Sequence, residues 1–578
     1  LVLWSLARAA GSMPTLSAGS HYAINILAAS QKNLAVRFAT PGTDRWSGVD
    51  FTDGTGGAPL LTGAAAATLP LLSRAAQAAT DLDIAIVGGG LAGIYAALRL
   101  ATSKPGQSIR LFEVSDRIGG RLHSIAFPQA PGLIGEAGGA RFADSHRNIV
   151  GLARTLDLPI RPTPLDLPQD RLALRGHSFA LAHLGAGGDV LPYEMAPARQ
   201  NLSAGRLRQA LAVIVPEAAT LTPAQWRTMR LTIRIKDKPL AAWNAGQLLA
   251  DMLSPGERDF LRDTARLDDA ALQGNALALF DSILREADSE GPFFTLAGGF
   301  QKLPLAIAEK LAPFGDIVSK GQRLVSLTVP EGKGGILKLA FEGAGGLRTQ
   351  IAAKTVILAL PRRALEAIPD FRARATKPFA QNLASVTSVA SAKAFLLYSA
   401  PWWKDLGIDG GRSLTDASAR QFVALGSEQQ RLASETTGGF GLLETMSEAK
   451  DAAALNGLVP ASAPGAFGLS WLGADSPLAL ELHKQACATF AVPAPAPVAA
   501  AFQDWSVDPF GGGLAAWAQG ADPLAAADAM LKPLKDRALY VVGDTWSARQ
   551  NWAEGALEQT EAMLQHHFGL NVPGWVRP

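Results

Sequence analysis

Residues 84–93 read Ile-Ala-Ile-Val-Gly-Gly-Gly-Leu-Ala-Gly, and a second apolar run, Ile109-Arg-Leu-Phe, ends on Glu113. A buried strand, a glycine turn, a helix, a second strand and an acid at its end constrain this chain more than any other stretch. Gly88 permits the tight turn, Gly90 lets the backbone approach a pyrophosphate, and Gly93 lets the helix pack close to the strand. The helix N-terminus then offers N–H groups and a positive dipole end to the phosphates. Glu113 falls 20 residues after Gly93, where a carboxylate can accept hydrogen bonds from an adenosine ribose. These residues imply a dinucleotide with a free 2′-hydroxyl, FAD or NAD. Glycine supplies 58 of the 578 residues, so the spacing alone is weak; the strand, helix and acid in register make it specific.

A chain of 578 residues has room for two or three domains, and with 48% hydrophobic and 18% charged residues it can fill large cores. The net charge of +2 and the lack of a long basic run argue against a nucleic-acid partner. A single cysteine, Cys487, excludes an intramolecular disulfide and a cysteine metal cluster, and no metal site is expected. No apolar run reaches the roughly 18–20 residues that span a bilayer. The nearest, Ala58 to Leu72, resembles an export h-region followed by small residues at Ala76 and Ala78, and reads equally as an alanine-rich linker or helix. Residues 1–80 are expected to be a leader, a pro-segment or a domain-capping arm. The location that follows is cytoplasmic, or exported after processing of that stretch.

Beyond the glycine turn the character changes along the chain. Residues 201–290 show apolar positions three and four apart at Asn201–Val215, Ala242–Leu253 and Pro255–Leu267, with Pro223 near a helix start. Strand-like sequence returns at Phe293–Gly299, Ile317–Val329, Gly335–Phe341 and Thr355–Leu360. A further strand is expected at Ala392–Tyr398, then a linker at 492–498, a strand at Ala538–Val542 and a helix at Gly555–His566.

Five motifs in order carry a resemblance. They are the glycine turn with Glu113; Gly119-Gly120-Arg121; Glu136-Ala-Gly138-Gly139-Ala140-Arg141-Phe; Leu296-Ala-Gly298-Gly299-Phe-Gln-Lys-Leu-Pro304; and Tyr540-Val-Val-Gly543-Asp544-Thr-Trp-Ser with Trp552-Ala553-Glu554-Gly555. Together they resemble the FAD-dependent amine oxidase superfamily, most of all its L-amino-acid oxidase branch, over residues 81–570. The resemblance implies FAD rather than NAD, and an α/β (α+β) fold with a Rossmann-type FAD-binding domain, a mixed-sheet substrate domain and a helical insertion. Its FAD-binding domain would combine 81–140, 291–370 and 505–570; its substrate domain 141–200 and 371–504; its helical domain 201–290.

The same resemblance assigns roles. Gly120, Gly139 and Ala140 would let the chain pass close to the cofactor, Arg121 would bond a phosphate or the flavin edge, and Glu136 would hold this loop. Backbone groups near Leu324 would meet the adenine, Gly543 would admit the cofactor, and Asp544 would accept from the ribityl chain. Trp552 and Ala553 would begin a helix whose positive end faces the flavin N1–C2=O region, with Trp552 also walling the substrate. Arg141 would bind an α-carboxylate, for which two parallel N–H donors are suited. Lys393 would hold a water against flavin N5 and take part in catalysis. His146 and Arg147 read as the start of the following helix, and Trp505 as structural. One departure stands out: the tyrosine the family often supplies after Asp416 is missing from 417–425. No cysteine lies near Gly543–Gly555, so FAD is expected to bind non-covalently.

The expected activity is oxidative deamination of an L-amino acid to a 2-oxo acid, ammonia and H2O2, with O2 as acceptor, in a homodimer without a stable membrane span. The alternatives are an amino-acid 2-monooxygenase, which decarboxylates to an amide; a polyamine or monoamine oxidase; and a flavin-binding protein that serves assembly.

Overall fold

The computed structural model describes four short strands within 21–70 and residues 80–576, apart from 166, 184–190, 196–213, 217–220, 265–271, 273, 287–291, 331–333, 370–376, 426–438, 462–465 and 508–510. It divides into residues 1–79 and 80–578. In the first unit His21–Ile26 pairs antiparallel with Ala65–Pro70, and Phe51–Asp53 with Pro59–Leu61. The alanine-rich stretch therefore contributes strands where a helix was one expectation.

In the second unit the apolar run that precedes the glycine turn forms the strand Thr80–Val87, at the middle of a seven-stranded sheet. It pairs in parallel with Ile109–Phe112 on one side and with Arg348–Leu358 on the other. Both its faces are covered, which is why it reads as a continuous apolar run rather than an alternation. Ile84 and Ile86 pack with the helix Leu91–Ser103, while Ala85 and Val87 pack with Leu339 and Phe341. Leu539–Val541 joins Arg348–Leu358 in parallel, so the last motif reaches the same sheet edge as the first.

Residues 317–329 do not form the single strand that their pattern suggests. Val318–Ser319 pairs with Ile109–Phe112, and Arg323–Thr328 lies at the opposite end of the strand order, beyond Leu337–Glu342. Five strand spacings in a flat sheet are about 24 Å, whereas the chain from Ser319 to Arg323 reaches only about 14 Å. The sheet therefore curls until its edges meet, with Phe112 stacked on Phe341 at 4.2 Å between ring centroids. The break falls at Gly321, whose φ of +69° is open to glycine. Its N–H bonds Ser115 O and the next N–H, of Gln322, bonds Glu113 O.

A mixed eight-stranded sheet occupies the 171–504 region, in the order His177–Ala180, Arg171–Leu174, Arg412–Thr415, Gln421–Leu425, Gly441–Glu448, Ser391–Tyr398, Ala499–Asp504, Leu469–Gly473. The Ser391–Tyr398 strand is buried throughout. Its even-numbered residues pack against helix Pro477–Phe490, while Phe395 and Leu397 face the hairpin Ser124–Phe127/Ala130–Glu136. That hairpin follows the motif Gly119-Gly120-Arg121 in the chain. The segment 492–498 connects neighbouring elements of the sheet region rather than linking domains.

The helices Pro223–Met229, Ala245–Met252, Pro255–Thr264 and Ala276–Glu286 follow the strand His177–Ala180 in the chain. Pro223 is the first helical residue, behind a reciprocal cap between Thr222 and Gln225. The helix read at Asn201–Val215 falls mostly outside the described residues. Arg230 fixes this region. Its guanidinium bonds both oxygens of Asp281 at 2.9 and 2.5 Å and one of Asp522 at 3.2 Å, and Trp226 Nε1 bonds Asp281 at 2.8 Å. Removing one member of a buried pair strands the other charge. Asp281→Leu should cost about 3–5 kcal/mol of stability in urea unfolding, and Arg230→Met with Asp281→Leu should recover much of it; a neutral single variant would contradict the assigned role.

Candidate active site

The glycine turn meets its partner motif directly. Gly119 N–H bonds Gly89 O at 2.9 Å, and Gly90 pairs with Gly119 as an isolated parallel bridge. The Glu113 carboxylate accepts from Gly89 N–H at 2.6 Å and from the N–H and hydroxyl of Ser115 at 2.8 and 2.7 Å. It is thereby fixed at the strand end, beside the Gln322–Leu324 backbone. No side chain caps the helix Leu91–Ser103, and its first turn holds no acid. Its N-terminal dipole is therefore available to an anion.

The glycines divide by what a side chain would strike. A methyl on Gly93 would collide with the Gly88 carbonyl, so this glycine serves helix–strand packing. A methyl on Gly90 would come no nearer than 3.8 Å to protein, at Gly120 Cα, and one on Gly543 would meet nothing within 4 Å. The open space at those two positions, above an uncapped helix terminus, fits a dinucleotide's pyrophosphate. Gly90→Ala should leave the apoprotein's Tm within about 1 °C and weaken FAD binding, whereas Gly93→Ala should lower Tm by several degrees; titration and thermal unfolding of the apoprotein distinguish the two.

Arg121 and Asp544 bond each other at 2.5 and 3.1 Å, and Arg121 also donates to Gly513 O at 2.8 Å. The two motifs expected at the phosphate and ribityl positions are thus adjacent, on side chains still partly accessible. Gly139 N–H bonds Arg121 O at 2.9 Å and Gly138 N–H bonds His123 O at 3.2 Å, so the third motif lies along the second. Trp505, read as structural, donates its Nε1–H to Ala137 O at 2.6 Å and so pins the residue before Gly138.

Glu136 ties this layer to the fourth motif. Its carboxylate accepts from Phe300 N–H at 2.6 Å and from the Ser124 hydroxyl at 2.8 Å. Gln301 bonds Ser124 N–H and Ile118 O. The Glu136 carbonyl accepts from Lys393 Nζ at 2.7 Å, and Lys393 also bonds Glu444 at 2.5 Å. Lys393 is thus held against the Glu136 backbone, in a buried ion pair that sequence spacing does not announce.

The second helix terminus organises the opposite wall. Trp552 is the N-cap residue of helix Ala553–Phe568, which no side chain caps. Its ring is parallel to Phe293, with centroids 6.2 Å apart, and the Arg141 guanidinium sits over Phe293 at 5.4 Å. His146 packs edge-on against Trp552 at 5.0 Å. Arg141 and Trp552, 411 residues apart in the numbering, therefore flank one phenylalanine. Glu554 explains the meeting: its carboxylate accepts from Asn148 N–H, Asn148 Nδ2 and Ile149 N–H at 2.8–3.0 Å, capping the helix Arg147–Thr155 that follows Arg141. Phe293 and His146 are site residues that the sequence reading missed or set aside. His146 does precede its helix, as read, and the proximity of its ring to Trp552 comes only with the helix packing.

A separate charged cavity of about 310 Å³ is lined by Arg175, Arg262, Asp263, Asp416, Arg420, Lys450 and Asp451. It includes none of the glycine-turn residues, and its arginines are paired with Asp259, Asp263 and Asp451.

Burial sets the charge states. It raises the Glu136 carboxyl to about 8 and lowers the His146 and His123 imidazoles to about 4. His146 is therefore neutral at pH 7 and adds no charge beside Trp552. The folded protein holds a proton on Glu136 that the unfolded chain has lost above about pH 4.5, so this residue makes stability fall as pH rises, until about 8. The two histidines act oppositely, making stability rise between about 4 and 6.5. Thermal unfolding of the apoprotein should show stability declining from about pH 6.5 to 8, and Glu136→Gln should flatten that decline.

These features fit a dinucleotide-binding protein in which Arg141, Phe293 and Trp552 are grouped together. Residues 91–562 match the family of flavin containing amine oxidoreductases, and the chain belongs to it. The enzyme is accordingly a flavin-dependent oxidoreductase with FAD as cofactor. Residues 1–87 match the flavin reductase like domain. Aplysianin-A of Aplysia kurodai is 27% identical over 85% of this chain and 91% of its own length; Achacin of Lissachatina fulica is 25% identical over 85% and 94%. An L-amino acid oxidase of Cerastes cerastes is 26% identical over 60% of this chain and 63% of its own. The fold matches putrescine oxidase bound to putrescine with a TM-score of 0.61 and 17% identity, over 85% of this chain and all of that one.

Proposed function

We propose that this flavoenzyme is an L-amino-acid oxidase, and the observation that carries the reading is Arg141. A simple amine needs no cation beside its reacting carbon, whereas an α-carboxylate needs one, and a guanidinium offers it two parallel donors. Arg141 adjoins Phe293 and Trp552, which supply a flat apolar wall for the substrate. Relatives named as L-amino acid oxidases support the same substrate class. Arg141 holds the carboxylate, Trp552 confines the α-carbon, and the neutral His146 keeps that wall free of further charge. FAD, when bound, would supply the acceptor for the hydride leaving Cα and the route for its electrons to O2. The substrate amine must be neutral when its Cα–H bond breaks, and loss of the ammonium proton on binding suffices without a strong base. Water then releases ammonia and the 2-oxo acid.

The chain's own departures shape the proposal. Residues 417–425 hold no tyrosine, which makes Arg141 the principal carboxylate partner. In this reading the seven-stranded sheet carries the cofactor, the eight-stranded sheet the substrate side, and the 201–290 helices cover the pocket.

A panel of L-amino acids assayed for H2O2 and ammonia tests the activity; CO2 and an amide in their place would identify a monooxygenase. Arg141→Ala should raise KM for the best substrate by about 100-fold, the loss of charge-assisted hydrogen bonds worth about 3 kcal/mol, with a smaller change in kcat. Unchanged KM would remove the arginine from the site.

A further inference from the structure

Lysine seldom lies inside a protein without a counter-charge, and Lys393 is only 6% exposed. An ammonium has three donors. One goes to Glu444 Oε1 and one to the Glu136 carbonyl. The second Glu444 oxygen accepts the Glu136 N–H at 3.3 Å, so Glu444 grips both the lysine and the segment that the lysine supports. Strand register produces the meeting. Lys393 is opposite Met446, which puts Glu444, two residues along on the same face, diagonal to it. On the other neighbouring strand Lys393 is opposite Gln503, whose side-chain oxygen meets His123 at 3.3 Å. The groups around the ammonium are thus Glu444, Glu136, and Gln503 with His123 behind it.

We propose that Glu444 is a positioning residue for Lys393: it balances the ammonium's charge and fixes it against the Glu136 backbone, so that the flavin meets a neutral ion pair rather than a lone cation. Two of the three ammonium N–H groups are engaged by Glu444 and Glu136, and the third remains for one further acceptor. The proposal rests on FAD lying against the Gly138–Gly139 turn and does not depend on which amine or amino acid is oxidised.

The test is the midpoint potential of the FAD-loaded protein, which needs no substrate, measured at pH 6.5, where Glu136 is protonated because its carboxyl is pushed up to about 8. Reduced flavin carries the more negative charge, so nearby positive charge raises the potential. Glu444→Gln should move it upward, Lys393→Met should move it downward, and the double variant should return towards wild type. Glu444→Asp keeps the charge and should stay close to wild type, a comparison that stands even if the lysine variant fails to load FAD. Shifts of the same sign in Glu444→Gln and Lys393→Met, the mark of a loosened fold, would overturn the proposal. So would equal potentials in wild type and Glu444→Gln. A failed amino-acid panel beside the expected potentials would overturn only the substrate reading.

Discussion

Glu136 ties the hairpin Ser124–Phe127/Ala130–Glu136 to the eight-stranded sheet and to the Gly298–Phe300 turn. Its carboxylate holds Phe300 and Ser124, its carbonyl holds Lys393, and its N–H reaches Glu444. Four segments from widely separated parts of the chain are thereby fixed around one fully buried side chain. Three residues later come Gly139 and then Arg141, so the position of the carboxylate-binding candidate descends from this node. Burial makes the node cheap to keep only while the carboxyl is protonated, because a charged carboxylate is penalised in a dry interior.

Helix termini do the complementary work. The helix Leu91–Ser103 and the helix Ala553–Phe568 both begin without a side-chain cap. A terminus left uncapped by the protein retains orphan N–H groups and a partial positive charge for a ligand. By contrast the helix Arg147–Thr155 is capped, by Glu554 from the first turn of the last helix. That one cap brings Arg141 and His146 alongside Trp552. In the proposed reading an anionic cofactor and an anionic substrate group are matched by different devices, backbone dipoles for the first and the Arg141 guanidinium for the second.

Local chemistry was legible in the sequence, and partnerships between distant strands were not. The glycine turn, its flanking strands and Glu113 could be read because every requirement falls within thirty residues. The helix after Trp552 and the one after Thr222 could be read from their periodicity and start signals. Residues 317–329 misled because strand propensity carries no information about which sheet edge a segment joins, and Gly321 alone marked the break. The Lys393–Glu444 pair depends on a register between strands more than 40 residues apart, which a period-2 pattern does not fix. Phe293 reads as one more aromatic in a strand, and only pairing with Phe142–Ala143 brings it beside Arg141.

The central claim is that a guanidinium selects substrates bearing a carboxylate at this flavin. The most direct measurement is anaerobic bleaching of the bound FAD by L-amino acids and by the amines that share their side chains but lack the carboxylate. The account predicts reduction by one or more of the amino acids and none by the matching amines. Reduction by the amines at comparable rates would contradict it and would return the enzyme to the simple-amine branch of its family.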